Sequence, residues 1–334
     1  MKYGKLKLLF TLCFVILSSL SAQAATWKLL KHNNNSYVTL KNLKEFYRFP
    51  VMEKKNGKIV VRNQAVKLEF KPNSHECFIN GIKFILAKPI TSYSSSQLIA
   101  KLDIDKLIDP ILRPVNSHGN NLFNVVIIDA GHGGSDPGAV NKLGTEAQYN
   151  LLVAKSLASM LQRSGYKVVM TRTDNRFLSL EQRAQIANKY SDAIFISIHF
   201  NAEARKQARG IETFTLSPSG VSHYGSRLKS SDKIEKTGNA RDSQNIALAT
   251  AVHGSVIEKI YQNGIRYDRG IKRARFSVLT NIKHPKILVE GGFMSHPDEA
   301  RAINSTRYLN NITLGILEGI KRYHKAMSRS GRTK

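Results

Sequence analysis

The chain has 334 residues, 51 Lys and Arg against 24 Asp and Glu, and a formal charge of +27. At roughly 150 residues per domain that length suggests two domains. So strong a positive charge calls for a polyanionic surrounding: nucleic acid, an anionic membrane or an acidic extracellular polymer. No basic stretch is interleaved with aromatics in the way that stacks bases, which argues against nucleic acid.

At the amino end, Lys2, Lys5 and Lys7 precede an apolar run from Leu8 to Leu17, and Ala22-Gln23-Ala24 supplies a small-residue cleavage signal. Residues 1–24 therefore read as a signal peptide, with the mature chain starting near Ala25. The run is far shorter than the roughly 20 residues that span a bilayer. Cys13 lies inside it rather than just after it, which does not suit a lipidated cysteine. Losing three lysines and no acids lowers the charge to +24. Export removes nucleic acid from the partners and leaves anionic envelope polymers, with the periplasm favoured over a secreted or wall-associated location. Cys77 is then the only cysteine, so no intramolecular disulfide can form, and a buried inert thiol is expected.

Residues 26–98 hold short apolar or alternating stretches, among them Tyr37-Val38-Thr39-Leu40, Lys58-Ile59-Val60-Val61, Ala65 to Phe70 and Phe84-Ile85-Leu86, separated by Asn, Gly, Lys and Pro. This predicts a small β-rich module. Asn80-Gly81 is a two-residue hairpin signal, since both residues tolerate the positive φ such turns require. Residues 99–123, with Pro110, Pro114 and the polar cluster Asn116 to Asn121, read as a connector.

From Asn124 onward strands and helices alternate, which predicts an α/β domain over 124–325 with a mostly parallel sheet flanked by helices. Strands are expected at Val125 to Ile128, Tyr166 to Met170, Ala193 to Ile198, Ile211 to Leu216, Ser277 to Leu279 and Ile287 to Val289. Helices are expected at Glu146 to Arg163, stopped by Gly165, at Ser179 to Tyr190 behind a Ser179/Gln182 capping box, at about Asn245 to Tyr261, and at Asn304 to Lys325. A basic tail, 326–334, ends the chain. Ser217 to Asn245 is long, polar and rich in Ser, Gly and Lys, which suits a mobile lid or substrate-groove loop. Glu235 and Glu212 are the acids near enough in sequence to plug a metal from it.

His132, His199 and Glu290 all fall at or just past the carboxyl ends of predicted strands, where open α/β sheets place their ligand crevice. Glu146 opens a helix. The gaps of 14, 53 and 91 residues between His132, Glu146, His199 and Glu290 exclude a local motif, so the fold must assemble them. Two imidazoles and a carboxylate suit zinc with a fourth position left for water, and the lack of cysteine ligands implies a catalytic rather than a structural site. Such a water is acidified to a pKa near about 7. A separate carboxylate, Glu290, is the candidate to take the proton and deliver it to a leaving amine. Each residue also has a plainer explanation. Gly131-His132-Gly133-Gly134 could be a tight turn, though a phosphate loop would want a Lys followed by Ser or Thr. Glu146 suits a helix amino terminus without any metal, His199 could be a satisfied core histidine, and Glu290 could cap a helix or pair with an arginine. Arg273 and Arg275 are candidates to bind substrate carboxylates or the reaction oxyanion, with surface charge as the plainer explanation. His118, His223, His253, His284 and His296 have no supporting constellation.

The motifs Ile128-Asp129-Ala130-Gly131-His132-Gly133-Gly134 with Asp136-Pro137-Gly138, Glu146, Ser197-Ile198-His199-Phe200-Asn201-Ala202 and Val289-Glu290-Gly291-Gly292-Phe293 together resemble the zinc-dependent N-acetylmuramoyl-L-alanine amidases (amidase type 3). The match covers residues 124 to about 325, with Thr171-Arg172, Arg183 and Gly210-Ile211-Glu212-Thr213 agreeing. The resemblance implies one Zn2+ held by His132, Glu146 and His199, with Glu290 as the acid/base; Asn201, Arg273 and Arg275 are candidate substrate contacts beside it. It implies an enzyme that cuts peptidoglycan between the lactyl group of N-acetylmuramic acid and L-alanine during wall remodelling or daughter-cell separation. A monomer is expected, with peptidoglycan and anionic envelope polymers as partners and an unidentified activator protein as a further candidate. Residues 26–98 resemble the small amino-terminal β domain of copper amine oxidases. The alternatives are a zinc endopeptidase of the wall, which would use the same groups, and a non-catalytic wall-binding protein, which would be expected to lack Glu290 or a ligand.

Overall fold

The computed structural model describes residues 26–113, 122–261 and 267–330. The proposed signal peptide, the Asn116 to Asn121 cluster with His118, and the last four residues of the basic tail lie outside them. The described chain begins with β1 (Leu30–His32), β2 (Asn35–Thr39) and α1 (Leu40–Phe46), where the Thr39 hydroxyl caps the helix by accepting from Asn42 N at 3.0 Å. An antiparallel meander follows: β3 (Val51–Lys55), β4 (Lys58–Arg62), β5 (Lys67–Phe70), β6 (Glu76–Ile79) and β7 (Ile82–Ile85). Asn80 and Gly81 turn β6 into β7 with φ of 50° and 83°, as their side chains allow. Cys77 on β6 is buried, and burial pushes its thiol up, so it is an inert core residue. β8 (Thr91–Tyr93) and β9 (Ser96–Ala100) complete a second sheet in the order β1-β2-β9-β8.

The expected connector begins differently. After β9 the chain runs through α2 (Lys101–Asp103), a π-turn at Ile104–Ile108 and α3 (Asp109–Leu112). Pro110 follows the π-turn directly, inside a continuous helical run from Lys101 to Leu112. Ile104, Leu107 and Ile108 are buried, so this stretch is part of the packed body.

The remaining elements are β10 (Val125–Ala130), the short pair β11 (Val140–Asn141) and β12 (Gly144–Thr145), α4 (Glu146–Arg163), β13 (Lys167–Met170), α5 (Leu180–Asn188), β14 (Ala193–Asn201), β15 (Ile211–Leu216), α6 (Asp242–Tyr261), β16 (Asp268–Ala274), α7 (Ser277–Thr280), β17 (Lys286–Phe293), α8 (Pro297–Ile303) and α9 (Thr306–Ser330). One sheet of eleven strands runs β13-β10-β14-β17-β15-β16-β7-β6-β5-β4-β3. β13, β10, β14 and β17 are parallel, β15 is antiparallel to β17, and β16 is parallel to β15. Every residue of β10 and β17 is buried, which is why these strands read as continuous apolar runs rather than alternating ones. The amino-terminal strands extend this sheet: β7 pairs in parallel with β16 through Phe84 and Ile271. Phe70, Phe84, Ile196, Val252 and Ile316 belong to one continuous core.

Two sequence expectations change. Ser277–Leu279 forms the short helix α7 instead of a strand, and the strand in that region is β16. β16 was hidden because Lys272 and Arg273 are charged yet buried, each paired with an acid distant in the chain. The closing helix begins at Thr306 as α9, close to the expected Asn304 and preceded by the short α8, but it continues to Ser330, so the start of the expected basic tail is helical, with Ala326 and Met327 buried.

Candidate active site

β10 ends beneath the imidazole of His199. A Cβ at Gly131 would stand 2.2 Å from His199 Cε1, so only glycine lets the chain pass there. The next residue, His132, has φ of 61°, a left-handed conformation uncommon outside glycine and costing of order 1–3 kcal/mol. Two buried arginines hold that backbone. Arg183 donates to Ala130 O and His132 O, both at 2.8 Å, and Arg172 donates to Ala130 O and Gly131 O, also at 2.8 Å. Arg183 in turn pairs with Asp129 at 2.7 Å, and Asp129 also accepts from Thr171 Oγ1 (2.7 Å) and Ser197 Oγ (2.8 Å).

Glu146 is the first residue of α4, placed by a reciprocal capping box of Thr145 and Gln148. Its Oε1 lies 3.1 Å from His132 Nε2 and 2.8 Å from His199 Nδ1. Ligand atoms of the three side chains all fall within 4.8 Å of one another. His132 Nδ1 bonds Asp136 Oδ2 at 2.8 Å, which leaves Nε2 as the nitrogen facing the cluster and supplies the carboxylate support that a metal-bound imidazole commonly has. Burial alone would raise the Glu146 carboxyl, but hydrogen bonds from His132 and His199 outweigh it and hold it well below its usual range. For His132 burial works downward, and Glu146 and Asp136 overcome it to raise the imidazole. Two nitrogens and an oxygen converging in a half-buried cluster fit zinc.

Glu290 sits on β17 in direct register with His199 on β14. It is 8% exposed, and its Oε2 has no hydrogen-bond partner among the described residues. Burial pushes its carboxyl well up, the nearby charges of Glu146 and Glu212 add to this, and Lys272 opposes it. A cavity of about 610 Å³ brings His132, His199 and Glu290 together, with Phe177, Leu180 and Phe276 on its walls.

The expected substrate-binding residues divide. Arg275 lines this cavity; its guanidinium pairs with Asp232 at 2.9 Å and donates to Pro218 O at 3.0 Å, which ties down the 217–245 segment, while its Nη1 has no hydrogen-bond partner among the described residues. Arg273 is buried on an ion pair with Asp103 at 3.3 Å and does not line the cavity. Asn201, at the end of β14, donates to Glu212 Oε2 at 3.4 Å and is likewise absent from the cavity wall. Neither acid offered as a plug reaches it: Glu212 bonds Lys272 Nζ at 2.6 Å, and Glu235 is exposed and off the wall. The 217–245 segment contains only two single-turn 3-10 helices, Ser230–Lys233 and Thr237–Arg241, before α6. His253 bonds Thr213 and Asp268, and His296 caps α8, so both are structural.

Sequence reasoning assigned no role to Asp129, Arg183 and Arg172 beneath the His132 loop, or to Asp136 beside it. The available signal was a lone aspartate closing the otherwise apolar run Val125 to Ile128, because a buried carboxylate requires a partner.

An α/β sheet that gathers two histidines and a helix-terminal glutamate able to hold a metal ion, open on one side and bordered by a buried carboxyl, has the arrangement of a hydrolase active site. The N-acetylmuramoyl-L-alanine amidase family model matches residues 126–322, and the chain belongs to that family. It is 27% identical to the amidase AmiA of Escherichia coli strain K12 over 259 residues, covering 70% of this chain and 87% of that protein. It is 28% identical to AmiA of Salmonella typhimurium, covering 60% and 75%. The crystal structure of an N-acetylmuramoyl-L-alanine amidase from Clostridium difficile 630 superposes with a TM-score of 0.51 at 32% identity, over 62% of this chain and 98% of that one.

Proposed function

We propose that the chain hydrolyses the amide between the lactyl group of N-acetylmuramic acid and the L-alanine of the peptidoglycan stem peptide, with residues 124–325 as the catalytic domain. The observation that carries this is the His132–Glu146–His199 cluster with Glu290 beside it in one cavity. His132, Glu146 and His199 would hold one zinc ion, which when bound supplies a polarised, acidified water. Asp136 fixes the tautomer of His132, so that Nε2 presents its lone pair. The substrate carbonyl enters the open side of the cavity. Glu290 takes the proton of the attacking water and passes it to the leaving amine of L-alanine, a transfer suited to a carboxyl raised by burial. Phe177 and Leu180, 51% and 50% exposed, offer apolar surface at the mouth for the lactyl and alanyl methyl groups.

This activity supports wall remodelling or cell separation by an exported, periplasmic protein whose excess positive charge draws it to anionic envelope polymer. No helix among the described residues is long and apolar enough to cross a membrane. The test is mass spectrometry of peptidoglycan incubated with the protein, with and without a zinc chelator. Free stem peptides beside intact glycan, lost with chelator and regained with zinc, are expected. Cuts within the peptide would make the protein an endopeptidase, and an absence of cuts would point to a blocked enzyme or a binder.

A further inference from the structure

The carboxylate of Glu146 is held from two directions. From its own stretch of chain, Ala139 N donates to Oε2 at 3.0 Å, and Asn150 Nδ2, one turn along α4, lies 3.5 Å from Oε1. From the sheet, Phe200 N donates to Oε1 at 3.2 Å, the same oxygen that faces His132 and His199. That N–H is free to do so because β10 leaves the sheet early. Its register with β14 runs to Ala130 opposite Ile198, and Gly131 N then donates to Ile198 O at 3.1 Å as the chain turns into the His132 loop. Phe200, two residues further along the same edge, has lost that neighbour, and a buried N–H requires an acceptor. Glu146 supplies it.

The ring of Phe200 fixes that peptide. It is fully buried, meets Tyr149 edge-on with ring centroids 6.2 Å apart, and lies over Gly291. A Cβ at Gly291 would stand 2.7 Å from Phe200 Cε1 and 3.2 Å from Cδ1 and Cζ, so the ring fills the space a side chain at 291 would need. The strand register shows the same accommodation. His199 pairs with Glu290 and Asn201 with Phe293, which sets Phe200 against both Gly291 and Gly292 in a β-bulge. Bulges beside active sites commonly re-aim a side chain. This one is tied down, since Tyr308 donates to Gly291 O and Phe293 N to Glu299 Oε2, both at 2.8 Å.

We propose that Phe200 and Gly291 are a positioning pair for Glu146: the ring, seated on Gly291, fixes the end of β14 so that the Phe200 N–H holds Glu146 Oε1 toward His132 and His199. The pair rests on the zinc site of the function proposed above. It also joins the two halves of that site, because Phe200 follows His199 and Gly291 follows Glu290 in the chain. A methyl group at 291 would displace the ring, and with it the His199–Phe200 peptide that carries the N–H. A shorter side chain at 200 would give the space back.

The test is a competitive zinc titration of the full-length mature protein, with urea unfolding of the metal-free form alongside. Gly291→Ala should lose about 10–100-fold in zinc affinity, the usual cost of disturbing a group that orients a metal ligand. Adding Phe200→Leu should restore several-fold of that loss, since Cε1, the ring atom nearest the new methyl, is gone. A pair that served stability alone would lower the urea midpoint without this rescue of zinc affinity. Phenyllactic acid in place of Phe200, introduced during translation, turns the amide into an ester and deletes the N–H while keeping the ring; it should weaken zinc binding by about tenfold, the worth of one hydrogen bond to a charged group. If Gly291→Ala fails to fold, the ester decides. Parent-like zinc affinity in the ester, or a double variant that binds zinc no more tightly than Gly291→Ala, would overturn the proposal. If zinc affinities follow the expected order but no lactyl amide is cut, the pair stands and the proposed function fails; if the amide is cut and the zinc affinities do not move, only the pair fails.

Discussion

Replacing Arg183 by Met tests how the His132 loop is held. Arg183 is 3% exposed and donates to Asp129 Oδ1, Ala130 O and His132 O at 2.7, 2.8 and 2.8 Å. Methionine fills much of the volume and removes these three bonds together with the one from Nε to Leu178 O at 3.2 Å. The dominant effect is the stranded Asp129, itself 1% exposed, whose remaining donors are the hydroxyls of Thr171 and Ser197. Breaking a buried ion pair from one side costs about 3–5 kcal/mol, a large fraction of the 5–15 kcal/mol that typically separates folded from unfolded protein. Loss of the bond to His132 O also frees a left-handed residue to relax. Zinc affinity should therefore fall about 10–100-fold, as for other groups that orient a metal ligand. Urea unfolding of the metal-free protein and a competitive zinc titration measure the two effects separately. Asp129→Leu combined with Arg183→Met should recover part of the stability, since the stranded charge is gone, but not the zinc affinity. If Arg183→Met unfolds at the parent's urea midpoint and binds zinc as tightly, the loop is held by something other than this network.

Gly131→Ala should abolish stoichiometric zinc binding, because its Cβ would collide with the His199 ring at 2.2 Å; a full zinc content per chain would contradict the close packing. Glu290→Gln should keep its zinc while amide hydrolysis falls by about 10²–10⁴-fold, the range of general acid–base catalysis, and comparable turnover would move the proton transfer to another group. Lys286 is fully buried, and burial brings its pKa down from 10.5 to about 7. Between pH 7 and 10.5 the unfolded chain holds that proton more firmly, so stability should climb with pH by up to about 1.4 kcal/mol per unit. Below pH 7 the lysine's contribution is flat. Lys286→Met should remove this rise, as read from urea midpoints across pH, and an unchanged slope would assign it to other groups.

The strands that build the site were legible because they are buried on both faces and therefore written in unbroken apolar residues, as in Val125 to Ile128 and Ala193 to Ile198. α4 and α5 were legible because their capping boxes are local. β16 was not, since Lys272 and Arg273 look solvent-bound until Glu212 and Asp103 are seen 60 and 170 residues away. The same distance problem concealed the support of His132: Thr171 and Arg183 meet Asp129 across 42 and 54 residues. His132, His199 and Glu290 showed themselves by following apolar runs, whereas nothing local distinguished Arg275, which lines the cavity, from Arg273, which does not.

The pairing of β7 with β16 also bears on self-association. A sheet edge with unpaired N–H and C=O groups is a template for another chain, and β16 would be such an edge if the polypeptide began near residue 124. Here Phe84 lies against Ile271, and Ile82 packs so closely on α6 that a Cβ at Gly254 would come within 2.7 Å of it. The eleven-stranded sheet therefore ends at β3, where Glu53, Lys54 and Lys55 place charge along the outermost strand. Charge on a terminal strand is the common deterrent to edge-to-edge aggregation, so the amino-terminal strands exchange a buried-type edge for one that repels its own kind.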